Sequence, residues 1–390
     1  EPAREMIEYI NKVEPFDVKT ESFEKYLKRG DIEYASEEIT EKYLACVAAQ
    51  STGSANGLKV AYSPLNGTGY KLVPEILRRA GVEQIDVVSE QSMPDGNFTT
   101  CGYPNPEKAE ALKLGLALAE KKGSDILIAT DPDADRIGTA VRHKGNYRLM
   151  TGNEIGVLLT DYILCCKKKN GTLPPKPVIV STIVSTGLAE KVAKEYGAEF
   201  YSVLTGFKYI GGIIGELESK GEQNRFVLGF EESYGYLSGS YVRDKDAVVA
   251  SMLVAEMTAH YLKEGKTLVD RIEELYAKFG TYEHKLKSYE YPGAEGNAKM
   301  RALLSDLRKN LPAKLGDSKI VKTVDYLTQT EADLPKSNVL SFEAENGSKL
   351  IVRPSGTEPL IKLYITAAST SEENEKIFKA VFEQVEKMFA

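Results

Sequence analysis

The chain has 390 residues, 42% of them hydrophobic and 27% charged, with 50 Lys and Arg against 57 Asp and Glu. That composition excludes a disordered, collagenous or coiled-coil chain, and the length supports two or three domains with cores large enough to need no disulfide or metal staple. A net charge of −7 argues against non-specific nucleic-acid binding, although basic side chains can still converge in one cleft. The longest apolar run, Ala247 to Met257, is broken by Glu256 and is too short to span a bilayer, so no membrane partner is expected. Cys46, Cys101, Cys165 and Cys166 form no C-x-x-C pair and read as reduced packing residues of a cytoplasmic protein.

In chain order, Pro2 to Val13 reads as a helix opening without a leading Met or a signal-peptide pattern, and Glu14 to Ile39 reads as an extended, charged linker. A helix is expected from Ser36 to Ala49. Strand-like and helical segments then alternate: Leu58–Tyr62, Tyr70–Ala80, Ile85–Val88, a helix over Pro106–Lys122, and the buried strand Asp125–Ala129. The pattern restarts with Pro177–Ser181, Thr186–Tyr196, Glu199–Val203, Ile210–Lys220 and Arg225–Phe230. Asp246 is placed to cap a helix running to Leu262 that Gly265 stops. The last hundred residues differ. Asn346-Gly347 marks a hairpin between Val339–Ala344 and Lys349–Val352, Leu360–Thr366 is a further strand, and a closing helix carries Ile377, Phe378, Val381, Val385 and Met388 on one face. The fold class expected is α/β: two successive α/β domains with mixed or parallel sheets, followed by an α+β domain with an antiparallel sheet. The boundaries expected are 1–38 for a remnant or linker, then 39–165, 166–290 and 291–390.

Three loops carry chemistry. Asp131-Pro-Asp133-Ala-Asp135-Arg136 follows a buried strand, where open α/β sheets bind ligands. Three carboxylates within five residues repel one another unless a cation gathers them, and an all-oxygen set suits Mg²⁺. A solvated acidic turn is the plain alternative. An EF-hand fails because Arg136 and Arg142 stand where Gly and Glu are required, and Asp135 stands where a haloacid-dehalogenase-type loop has Thr or Val. Gly229-Phe-Glu231-Glu232-Ser233-Tyr-Gly235 offers adjacent acids and a hydroxyl suited to sugar hydroxyls, with an ordinary polar turn as the alternative. Lys245 and Lys208 (in Thr205-Gly-Phe-Lys208) stand near such loop ends, where each could equally be a solvated surface residue. Arg353-Pro-Ser355-Gly356-Thr357-Glu-Pro359 combines a guanidinium fork with two hydroxyls around a glycine, an anion nest or else a tight turn. Ser63 to Gly69 is a weaker glycine-rich turn that reads as structural. The sequence contains no H-E-x-x-H, G-x-S-x-G or P-loop.

Taken in order, DPDADR, TGFK, GFEESYGY, RDKDA and RPSGTEP resemble the α-D-phosphohexomutase family, within it the phosphoglucomutase/phosphomannomutase branch. The resemblance runs over the whole chain and implies domains arranged around one cleft. It implies Mg²⁺ on Asp131, Asp133 and Asp135, with Arg136 and Lys245 at the phosphoryl-transfer site. It implies sugar hydroxyls on Glu231 and Ser233, Lys208 lining the cleft, and the non-transferred phosphate on Arg353, Ser355, Gly356 and Thr357. The reaction implied interconverts glucose 1-phosphate and glucose 6-phosphate through a phosphoserine, with glucose 1,6-bisphosphate as intermediate and activator. Phosphomannomutase or phosphopentomutase activity, a phosphatase using Asp131, and a non-catalytic sugar-phosphate binder are the alternatives. The family's serine lies in a T-A-S-H-N-P-like loop of its first domain, and this sequence contains no Ser-His-Asn. The expectation is therefore a chain lacking most of a first domain and inactive alone, its partners being hexose phosphates and that missing domain. Oligomeric state is not legible.

Overall fold

The computed structural model describes residues 2–328, 334–355 and 359–389. Residues 1–45 form one unit and 46–390 another. The first unit contains α1 (Pro2–Ile10), α2 (Phe23–Arg29) and most of α3 (Glu37–Ala48). The expectation of an extended linker over 14–39 is corrected by α2, which ends on Gly30 at φ 81° and is laced by Lys25–Glu21 and Arg29–Glu21 ion pairs.

The second unit opens with a five-stranded sheet of β1 (Lys59–Ser63), β2 (Gln84–Val87), β3 (Ile126–Thr130), β4 (Ile137–His143) and β5 (Asn146–Met150), in the order β2-β1-β3-β4-β5. Its first three strands run parallel, with α4 (Leu72–Arg79) and α5 (Lys113–Lys122) in the connections. The β4–β5 hairpin turns on Lys144 and Gly145, both at positive φ, as a two-residue turn requires. The expected helix over 106–122 begins only at Lys113. Asn105 takes the Glu107 N–H on its side chain at 2.8 Å, and successive i→i+3 turns run through Leu112 in place of helix.

After α6 (Gly152–Lys169) the second sheet follows: β6 (Val178–Thr182), β7 (Glu199–Val203), β8 (Phe226–Phe230) and β9 (Tyr236–Leu237), in the order β7-β6-β8-β9, with only β9 antiparallel. Its helices are α7 (Leu188–Glu195), α8 (Phe207–Ser219), α9 (Ala247–Lys263) and α10 (Leu268–Phe279). α6 starts on a Thr151/Glu154 capping box, and bare Gly156 lets the Phe230 ring lie where a Cβ would sit only 2.4 Å away. α9 is buried almost throughout and starts on the Asp246 cap. The acid that interrupts its apolar run, Glu256, accepts from Ser51 Oγ, Thr52 N and Gly53 N at 2.5, 3.0 and 3.1 Å, which satisfies a buried carboxylate.

The third sheet is antiparallel, in the order β10-β15-β14-β13-β12-β11. It is built from β10 (Thr281–Glu290), β11 (Lys314–Leu315), β12 (Ser318–Asp325), β13 (Leu340–Ala344), β14 (Lys349–Pro354) and β15 (Leu360–Ser369). Alternation along β15 turns Ile361, Leu363 and Ile365 into a core with Phe378, Val381 and Val385 of α12 (Ser371–Phe389); α11 (Gly293–Lys309) adds Leu304 and Leu307. Ile351 on the other face packs with Ile183, Val184 and Leu204 from loops of the second sheet, so the two sheets share an apolar seam. Among the described residues, no helix is long and apolar enough to cross a membrane.

Candidate functional site

The Asp131–Arg136 loop joins β3 to β4 and closes on itself. Asp131 Oδ1 accepts from the backbone N–H groups of Asp135 (3.0 Å) and Arg136 (2.9 Å), and Ala134 takes φ 57° at the tip. This brings ligand oxygens of Asp131, Asp133 and Asp135 within 4.8 Å of one another. Burial, then the neighbouring carboxylates of Asp135 and Asp133, push the Asp131 carboxyl up to about 7. Asp135 Oδ1 is buried without a hydrogen-bond partner. An orphaned carboxylate oxygen beside two further acids is the donor set a hard divalent cation satisfies, so these residues fit Mg²⁺. The glycine-rich turn at 63–69 is the buttress of this loop: Thr68 N and Oγ1 both donate to Pro132 O, at 2.8 and 3.1 Å. A Cβ on Gly67 would stand 2.4 Å from Pro132 Cα, so only glycine permits the approach.

The loop after β8 is fastened to this one. Arg136 and Gly235 form a β-bridge, Ile137 N donates to Tyr234 O at 3.1 Å, and Ala247 N donates to Ala134 O at 3.0 Å. Tyr234 sits at φ 70° to make the turn. Glu231 is buried; its carboxylate accepts from Gly206 N at 2.9 Å, and burial raises its pKa. Glu232 is pushed up to about 7 by burial and by the charge of Glu231, with Thr182 Oγ1 donating to it at 3.2 Å. Lys245 lies behind the two loops, its Nζ 2.9 Å from Asp135 and 3.0 Å from Asp244. Burial disfavours its charge, but these two ion pairs outweigh that and raise its pKa. Gly235 leaves room for its stem, since a Cβ there would lie 2.2 Å from Lys245 Cδ.

A cavity of about 1000 Å³ is lined by Arg136, Glu231, Ser233, Arg353 and Lys362, while Asp131, Asp133, Asp135 and Lys245 are not among its lining residues. Arg353 and Lys362 are direct register partners across β14 and β15, on the face opposite the core. Ser355 follows, its N–H bonded to Leu360 O at 2.8 Å; Gly356 and Thr357 lie outside the described residues. Lys208 is exposed, and its ammonium stands 5.0 Å over the Tyr209 ring, away from the cavity wall. Wall residues that the sequence reading gave no site role include Glu107, His284 and Lys362. Lys362 carried a usable signal, because the period-two alternation of I-K-L-Y-I-T just after the Arg353 loop puts it opposite the apolar face. Thr205 Oγ1 and His284 Nε2 are buried without partners.

Family models for phosphoglucomutase/phosphomannomutase match the chain in three consecutive parts: α/β/α domain II over residues 38–145, α/β/α domain III over 151–279 and the C-terminal domain over 300–384. A phosphoglucomutase of Staphylococcus epidermidis is 37% identical over 320 residues, covering 79% of this chain and 57% of its own length. One from Staphylococcus saprophyticus is 35% identical over 380 residues, 94% of this chain and 68% of its own. The chain thus spans roughly three fifths of the length of these relatives. In fold it resembles a phosphoglucomutase/phosphomannomutase family protein of Burkholderia thailandensis, with TM-score 0.64 and 17% identity over 90% of this chain and 64% of that one. An Aspergillus fumigatus N-acetylphosphoglucosamine mutase, solved with GlcNAc-6P and magnesium, shares the fold at TM-score 0.51 and 16% identity, over 89% and 65% of the two chains. The chain belongs to the phosphoglucomutase/phosphomannomutase family, the phosphohexomutases.

Proposed function

We propose that this chain supplies the metal-, sugar- and phosphate-binding parts of a phosphoglucomutase that interconverts glucose 1-phosphate and glucose 6-phosphate. The parts divide near residues 39, 150–165 and 291. The observation that carries the reading is the meeting of Arg136, Glu231 and Ser233, and Arg353 in one cavity, with the Arg136–Gly235 bridge fastening the first two loops together. Asp131, Asp133 and Asp135 would hold Mg²⁺, which neutralises charge on a transferring phosphoryl group. Arg136 offers its guanidinium to the same oxygens. Lys245 holds Asp135 in place and keeps a positive charge beside the reacting end. Glu231 and Ser233 fix the sugar by its hydroxyls. Arg353 and Lys362, with Ser355, Gly356 and Thr357, grip the phosphate that stays, which sets the reach between the two ends of a bisphosphorylated sugar. Catalysis of this kind rests on positioning and electrostatics, which these residues provide. The phosphoryl-carrying serine is not among them, because no Ser-His-Asn occurs in the 390 residues.

The test is a coupled assay for glucose 6-phosphate formation with Mg²⁺ and glucose 1,6-bisphosphate. The chain alone should show negligible turnover. Adding the serine-bearing first domain of a Staphylococcus phosphoglucomutase, fused or in trans, should produce turnover that Asp133→Asn abolishes. If the combined protein stays silent on glucose phosphate and turns over a mannose or pentose phosphate instead, the substrate assignment moves to that sugar. Silence on all of them sinks the mutase reading.

A further inference from the structure

Glu107 stands at the cavity on the stretch where a helix was expected and a loop is found. Its position is dictated from below. Gly138, two residues past Arg136 on β4, carries no Cβ, and a Cβ there would lie 2.4 Å from Pro106 O. The loop therefore presses its backbone directly onto β4 and delivers the next side chain, Glu107, to Arg136. Glu107 Oε1 accepts from Arg136 Nη1 at 3.2 Å.

The opposite edge of the guanidinium tells the rest. Arg136 Nε approaches Asp135 Oδ1 to 3.5 Å and Asp131 Oδ2 to 3.7 Å. Yet Arg136 Nε and Asp135 Oδ1 are both buried with no hydrogen-bond partner. The two atoms thus pair as ions but stay too far apart to hydrogen-bond, although an unmade buried hydrogen bond costs more than a small side-chain movement. The group pulling the guanidinium the other way is Glu107.

We infer that Glu107 is a positioning residue that tethers Arg136 away from the Asp131–Asp133–Asp135 cluster, keeping those oxygens available to a divalent cation. Without the tether, Arg136 shortens its long ion pairs with Asp135 and Asp131 into hydrogen bonds and competes with the ion for the same oxygens. The inference rests on the metal-site reading above and adds a residue outside the acidic loop that decides how well that loop binds.

Calorimetric titration of the chain with Mg²⁺ tests it without any turnover. Glu107→Gln keeps an acceptor oxygen but removes the charge that makes the tether strong. Glu107→Asp keeps the charge but withdraws it by one methylene. Both should weaken Mg²⁺ binding about three- to fivefold, the upper end of what a partly exposed ion pair is worth. In an Arg136→Met background there is nothing to release, and adding Glu107→Gln should then change the affinity less than about twofold. If Glu107→Asp binds as the parent does, or if Glu107→Gln costs the same factor with and without Arg136, then Glu107 acts only through its charge and the tether is refuted. If the parent shows no Mg²⁺ binding that Asp131→Asn removes, the metal reading itself falls, and the inference with it.

Discussion

Replacing Glu232 by glutamine should stabilise the chain at high pH and leave it unchanged in acid. The Glu232 carboxyl sits half-buried beside Glu231, and burial first, then that charge, carries it from the usual 4.5 up to about 7. A carboxyl whose folded pKa lies above its unfolded value favours folding when protonated. Its contribution is complete below pH 4.5 and is lost as pH rises to about 7. At about 1.4 kcal/mol per pKa unit, the ionised side chain costs up to about 3 kcal/mol above pH 7. Glutamine keeps the shape and an acceptor for the Thr182 hydroxyl, which donates to Glu232 at 3.2 Å, and carries no charge to bury. Thermal unfolding of both proteins from pH 4.5 to 8.5 reads the effect, at about 2–4 °C per kcal/mol for a domain of ordinary size. The midpoints should coincide near pH 4.5 and separate by several degrees above pH 7.5, the variant standing higher. Equal midpoints at pH 8, or a gap that does not change with pH, would refute the reasoning.

Mg²⁺ affinity should rise with pH. Asp131 titrates at about 7 without metal, so binding below that pH must expel a proton, which calorimetry in buffers of different ionisation enthalpy detects as proton release that fades by pH 8. Gly138→Ala should lower the thermal midpoint, by about 1–3 kcal/mol in stability, because the new Cβ meets Pro106 O at 2.4 Å and the loop must lift. Glu256→Ala should cost about 2–4 kcal/mol in denaturant unfolding, since it strands Ser51 Oγ and the N–H groups of Thr52 and Gly53.

What the sequence made legible was local. Alternation marked the buried strands, Asp246 announced α9, Asn346-Gly347 announced a hairpin, and the acids of 131–135 announced a cluster of carboxylates, because each signal lies within a few residues of its effect. The expected helix over 106–112 failed because Asn105 bonds its own backbone and Pro106 packs on Gly138, a contact with another strand. The turn at 63–69 read as merely structural, and it is structural, but what it supports is the Asp131–Arg136 loop. Lys208 looked equivalent to Lys245 in a loop of the same kind. Only the packing of Gly235 and the reach to Asp135 separate them. The Arg136–Gly235 bridge joins residues far apart in sequence, and no local pattern encodes it.

One cavity is proposed to hold a sugar by Glu231 and a phosphate by Arg353. Calorimetric binding of glucose 6-phosphate and of inorganic phosphate to the parent chain, Glu231→Gln and Arg353→Ala tests it most directly. Arg353→Ala should lose both ligands. Glu231→Gln should weaken glucose 6-phosphate severalfold while leaving inorganic phosphate as in the parent, because a neutral amide oxygen replaces a charged acceptor for a hydroxyl. Unchanged binding of both ligands in both variants would contradict the account.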